Sequence, residues 1–220
     1  MKSLIKILLA AFFILFSVTA FAHTINYALQ NAPVKDVVWF YLKLGFEHII
    51  PTGADHILFV AGLCLLNTKI KTIIWQATAF TIAHSVTLAL SMKNIILAPA
   101  AIVEPIIALS IVFVAIENML AKKLSPFRIL VVFVFGLIHG MGFASSLNEI
   151  GLPPDKFYTS IIAFNAGVET GQVTIIAAMF LLIINRFKNK PWYRKRIVYG
   201  LSAVIALIAF YWTIERVISS

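Results

Sequence analysis

Residues 127–148 read FRILVVFVFGLIHGMGFASSLN. An α-helix crosses a bilayer with about 20 predominantly apolar residues, and this run meets that length with one histidine at its centre. Gly136, Gly140 and Ala144 fall at i, i+4 and i+8, making a smooth ridge on which a second helix can approach closely. His139 lies to one side of the ridge, facing roughly with Gly142, Phe143 and Ser146. Packing explains the glycines. It does not explain the imidazole, because an ionisable group in hydrocarbon is costly and persists where it faces the bundle interior and has a partner.

Comparable apolar runs lie near 54–68, 70–92, 98–121, 157–185 and 197–218, so the sequence predicts an all-α polytopic membrane protein with a bundle of about six transmembrane helices. The composition agrees: 61% of the 220 residues are hydrophobic and 12% charged, which excludes an ordinary water-soluble globule. The net charge of +9 sits mostly in loops, as topology requires, and does not point to nucleic acid. The partner implied directly is the lipid bilayer. A single cysteine, Cys64, excludes an intrachain disulfide and a multi-cysteine metal site, leaving nitrogen and oxygen as ligand atoms.

The first residues carry Lys2 and Lys6, an apolar stretch and then Ala20-Phe21-Ala22, the pattern of a signal peptide over 1–22. The alternative is an uncleaved first helix, and either version leaves residue 23 outside the cytoplasm. Residues 23–52 form a periplasmic or interfacial segment in which 36–50 is an amphipathic approach, at the interface or re-entrant, broken by Pro51-Thr52-Gly53; the six-span bundle occupies 53–220. With residue 23 outside, the inner loops collect Lys69, Lys71, Lys122, Lys123, Arg128, Arg186, Lys188, Lys190, Arg194, Lys195 and Arg196, and the outer side has Lys93, Lys156 and Arg216. This bias puts both ends of the mature chain in the periplasm. There is no internal repeat or second domain.

Other polar residues interrupt the runs. Asp55 and His56 open the first span; a capping box from Thr52 accounts for Asp55 as well as catalysis or metal binding does, but not for His56, nor for Glu47 and His48 before the turn. His84 and Ser85 lie on the second span with Thr78 and Thr81, hydroxyls that commonly serve packing. Glu104 precedes Pro105, which removes a backbone donor, and Glu117 and Asn118 lie at the cytoplasmic end, where solvated or loop-pairing roles suffice. Asn165, Glu169 and Gln172 form a polar stripe beside Gly167 and Gly171. At 1.5 Å per residue, His84 and His139 lie roughly 12 Å from the outer helix ends, Glu104 about 9 Å and Glu169 about 18 Å, with Asp55 and His56 at that face. All belong to the periplasmic half.

Imidazoles and carboxylates without thiolates suit Zn, Ni, Co, Cu or Fe(II), and affinity order does not choose among them. Three histidines near a carboxylate also match a catalytic metal site that keeps a water. A proton relay or a structural hydrogen-bond network suffices for one histidine; His56, His84 and His139 together favour a divalent transition metal. Ser85, Asn165 and Gln172 are supporting polar groups.

At these residues a family resemblance becomes specific. GADHILF, AFTIAHSVTLAL, VEPIIALSIVFVAIEN, FGLIHGMGFASSL and FNAGVETGQ, in that order over residues 45–175, resemble the HupE/UreJ family of bacterial membrane proteins. The resemblance implies a small inner-membrane protein linked to hydrogenase or urease maturation and regarded as a nickel or cobalt permease, so maturation proteins are candidate partners. It matches Asp55 and His56 to the Asp-His of the family's first motif, His48 to its leading histidine, His139 to the later His-Gly motif and Glu169 to the acidic residue after it. His48 stands farther from Asp55-His56 than the family's leading histidine does, and the later motif has one histidine where the transporter branch has two, which marks a divergent branch.

Three functions follow as expectations. The first is nickel or cobalt transport, with capture near His48, Asp55 and His56 and transfer to His84, His139 and Glu169, Glu104 being a further ligand. The second is an intramembrane zinc hydrolase with Glu104, Glu169 or Asp55 as general base. The third is a b-type haem protein with His84 and His139 as axial ligands. A mature N-terminal His23 is a lesser chelating site for Cu²⁺ or Ni²⁺.

Overall fold

The computed structural model describes residues 29–219; the expected signal peptide and His23 lie outside them. Among the described residues every regular element is helical. The helices are α1 (Val34–Ile49), α2 (Ala54–Leu66), α3 (Ile70–Met92), α4 (Ala100–Leu120), α5 (Arg128–Ile150), α6 (Phe157–Met179) and α7 (Tyr199–Ile218). A π-helical turn, Phe180–Ile184, carries α6 on to Phe187, and another, Tyr193–Val198, leads into α7.

Five stretches are long and apolar enough to cross a membrane: Ile70–Met92, Ala100–Leu120, Arg128–Ile150, Pro154–Phe187 and Tyr193–Ile218. A sixth candidate is α1 with α2, which pass together but are bent by 69° where Pro51 to Gly53 interrupt them, as a broken span or a re-entrant loop. The sequence expectation of about six spans is met on that count. Taken alone, α2 has 13 residues, below the length a span needs.

The helix ends follow local chemistry. Asn94 takes φ 55° after α3, a left-handed conformation that asparagine tolerates, and Gly151 takes φ 79° after α5, where a β-carbon would be strained. The Gly151 N–H donates to the Leu147 carbonyl at 3.0 Å, and Pro153-Pro154 cannot extend that helix.

Helices pack chiefly as α3 with α5, α1 with α6 and α4 with α7. Lipid tails are as apolar as leucine, so close van der Waals packing holds such pairs together. The expected α5 ridge does this against α3: a β-carbon at Gly136 would lie 2.5 Å from the Phe80 carbonyl oxygen, and one at Gly140 would lie 2.2 Å from that of His84. On α6, a β-carbon at Gly167 would meet the Leu42 carbonyl at 2.0 Å, and one at Gly171 would meet Ile49 at 2.6 Å. Residues 36–49 therefore belong to a helix whose stripe Val37, Tyr41, Gly45 and Ile49 is buried, with Gly45 and Ile49 set against α6.

A polar clip closes the α4–α5 end. Arg128 is buried, and its guanidinium donates to Gln76 Oε1 at 2.9 Å, Glu117 Oε2 at 2.7 Å and Asn118 Oδ1 at 3.4 Å. Asn118 Nδ2 donates in turn to the Gly62 carbonyl at 2.8 Å. α2, α3, α4 and α5 are thus joined through Glu117, Asn118 and Arg128, which sequence position alone assigns to solvent or loops.

Candidate functional site

Four histidines come from four helices. His48 stands in the last turn of α1, His56 in the first turn of α2, His84 in α3 and His139 in α5. Close packing of Gly140 on the His84 carbonyl brings the last two helices together. The bend between α1 and α2 folds His48 back on His56, with ring centroids 4.7 Å apart. His139 lies 5.0 Å from His56 by the same measure, and His84 lies 6.1 Å from both His48 and His56.

His48, His56 and His84 each present one ring nitrogen to a common point, the three within 4.8 Å of one another. The Nε2 atoms of all three are buried and lack a hydrogen-bond partner. For His56 and His84 a neighbour fixes which nitrogen holds the proton. His56 Nδ1–H donates to Asp55 Oδ1 at 3.0 Å, leaving the Nε2 lone pair free. Asn165 commits its amide N–H to the Ile161 carbonyl at 2.9 Å, so its Oδ1 accepts from His84 Nδ1–H at 3.1 Å. His139 is turned the other way: Ser110 gives its hydroxyl proton to the Ile107 carbonyl and accepts from His139 Nε2–H at 3.2 Å. The orphan on that ring is Nδ1, also buried.

Aromatic rings wall the cluster. Phe143 lies 3.9 Å from His48, Phe80 4.9 Å from His139 and Phe59 5.5 Å from His139, while Phe164 stacks on His84 at 6.5 Å. The free Nε2 atoms of His48, His56 and His84 thus have no hydrogen-bond partner in the protein itself, where buried polar groups ordinarily have one. Three imidazoles whose ring nitrogens come this close could hold a divalent transition ion, and a donor set of imidazoles with carboxylate support suits nickel, cobalt or zinc.

A cavity of about 190 Å³ reaches this cluster, lined by His48, Asp55, His56, His139, Glu104 and Arg216 among others. Glu104 is therefore at the cavity but not among the three converging ligand groups. Arg216 is a residue that sequence reasoning passed over as a loop cation. Its guanidinium lies 3.7 Å from Asp55 Oδ2 and donates to the Glu104 carbonyl at 3.0 Å, so a cation lines the same cavity as the histidines. Its distance of more than a hundred positions from both partners left no local signal. Ser110 was also passed over, as one hydroxyl in an apolar helix.

Glu169 stands apart. It accepts a hydrogen bond from Thr78 Oγ1 at 2.6 Å and lines a separate groove with Thr81, Ser85 and Asn165. Gln172 accepts from Thr81 at 3.2 Å, and Ser85 donates to the Thr81 carbonyl at 2.6 Å. Of the expected supporting groups, only Asn165 touches a cluster histidine.

A family model described as HupE / UreJ protein matches residues 23–216. No curated protein and no solved structure matches the chain. The match spans the whole bundle, including all four histidines, and the protein belongs to the HupE/UreJ family.

Proposed function

We propose that the protein is an inner-membrane permease for nickel or cobalt, in which His48, His56 and His84 bind the ion and His139, Asp55 and Glu104 complete or orient the site. The observation that carries this reading is that His48, His56 and His84 each bring one ring nitrogen within 4.8 Å of the others and each has a buried, unpartnered Nε2, two of them with Nδ1 anchored. Family membership favours nickel or cobalt as the ion, and metalloenzyme maturation proteins as its recipients. The ion arrives at the cavity beside Glu104 and Asp55 and exchanges its water for imidazole. Both termini face the periplasm in this arrangement, so capture is periplasmic.

Onward movement needs polar groups past the histidine cluster. The Thr81–Gln172 and Thr78–Glu169 pairs between α3 and α6 supply them. Radioactive nickel or cobalt uptake by proteoliposomes tests the proposal: accumulation above protein-free vesicles is expected, and background accumulation would sink it.

A zinc-dependent hydrolase is the second reading, favoured by Glu104 and Arg216 in one cavity with the histidines, a base and a cation beside a potential metal-bound water. Purified protein holding one zinc that ion gradients do not discharge would support it over transport. Haem ranks last: the cavity of about 190 Å³ is smaller than the roughly 300–1,000 Å³ of drug-sized ligand sites, and a Soret band would be required.

A further inference from the structure

A groove of about 540 Å³ opens where α3 and α5 begin, and it shares no lining residue with the histidine cavity. The buried side chains Gln76 and Arg128 line it, and their hydrogen bonds are committed within the polar clip. Glu117 neutralises Arg128, so the net charge of the groove comes from elsewhere.

It comes from lysine. Lys71 lines the groove and is exposed, Lys69 stands two residues earlier, and Lys122 and Lys123 immediately precede Leu124, another lining residue. Among the described residues none of these four lysines forms an ion pair. Arg194 donates to the Ala121 carbonyl at 2.6 Å, which brings a fifth cation beside Lys122. The lining also offers hydroxyls: Ser125 Oγ accepts from the Phe127 N–H at 3.3 Å and keeps its own proton for a ligand, and Thr72 lies beside Lys71.

The apolar part of the lining is as informative as the charge. Lys71 and Trp75 stand at i and i+4, on one face of α3. Both α3 and α5 are candidate spans that start here, so Lys71 falls at headgroup level with Trp75 one turn deeper, the depths that ammonium and indole groups take at a membrane interface. Trp75 is 59% and Ile129 45% exposed, which gives the groove an apolar wall open to lipid. Topology alone accounts for lysines in loops, but not for a groove that sets hydroxyls beside one of them and an indole beneath it. A free anion would use the cations and hydroxyls and leave that wall bare. A basic pocket between membrane helices is instead matched to an anionic lipid headgroup with its chains alongside.

We propose that this groove binds one anionic phospholipid, with its phosphate on Lys71, Thr72 and Ser125 and its acyl chains along Trp75 and Ile129. The site is independent of the metal reading.

Native mass spectrometry of the full-length protein tests it, with dioleoyl phosphatidylglycerol and dioleoyl phosphatidylcholine supplied in equal amounts in mixed micelles. The wild type is expected to retain phosphatidylglycerol several-fold more than phosphatidylcholine. Lys71→Gln is expected to lose most of that preference. Lys190→Gln removes the same charge from an exposed lysine outside the groove and is expected to keep it. No preference in the wild type, or an unchanged preference in Lys71→Gln, would overturn the proposal. Equal losses in the two variants would also overturn it, since the attraction would then be diffuse. Excess inorganic phosphate is expected to leave the preference intact, and its loss would make the groove a free-anion site in place of a lipid site.

Discussion

His56 and Asp55 show how one residue conditions another. The carboxylate fixes the His56 tautomer and ring angle, so Asp55→Asn is expected to weaken metal binding by about 10–100-fold without unfolding the chain. Equilibrium dialysis with Ni²⁺ measures this, and unchanged affinity would remove Asp55 from the account. Arg216 acts in the opposite sense. Its guanidinium engages Asp55 and adds like charge at the mouth of the cavity, so Arg216→Gln is expected to tighten divalent-ion binding several-fold, most at low salt. Loosened binding would make Arg216 a structural prop instead. The histidines were legible as residues because an imidazole in an apolar helix has few bland explanations. Of their partners, Asn165 was legible as a polar group on the α6 stripe, but Ser110 and Arg216 were not, because no local pattern marks a side chain by what it will meet across a large sequence separation.

At the scale of helices, glycine decides how near the histidines come. Gly140→Ala puts a methyl group into the His84 carbonyl and Thr87, so it is expected to cost about 1–3 kcal/mol and to loosen the metal site as α3 and α5 separate. Gly200 has nothing within 4 Å of an added β-carbon, and Gly200→Ala is expected to raise stability by about 0.5–1 kcal/mol through helix propensity. Thermal unfolding in detergent compares the two, and equal shifts would contradict the packing argument. The spans and both glycine ridges were legible from spacing. α1 was harder, because Lys43 and Glu47 make its exposed face look interfacial, whereas the buried stripe Val37, Tyr41, Gly45 and Ile49 repeats every four residues and carried the signal. Asn118 and Arg128 were assigned to an aqueous end by position, yet each satisfies the other inside the bundle. Glu117→Ala would leave that buried guanidinium short of its charge partner, with an expected cost of about 3–5 kcal/mol in the same unfolding measurement.

For the whole molecule, orientation links the site to a compartment. A cysteine at Asp155 is expected to react with a membrane-impermeant maleimide from the periplasmic side, and one at Lys123 only after the inner membrane is opened. Cys64 is fully buried and gives little background. The reverse pattern would turn the cavity toward the cytoplasm and change uptake into export. The central claim is narrower than direction: three imidazoles from α1, α2 and α3 hold one divalent ion. Elemental analysis of nickel-dialysed wild-type protein beside His84→Ala tests it most directly. One nickel per chain in the wild type and loss of most of it in the variant are predicted. Equal metal content in both, with the variant folded, would contradict the account.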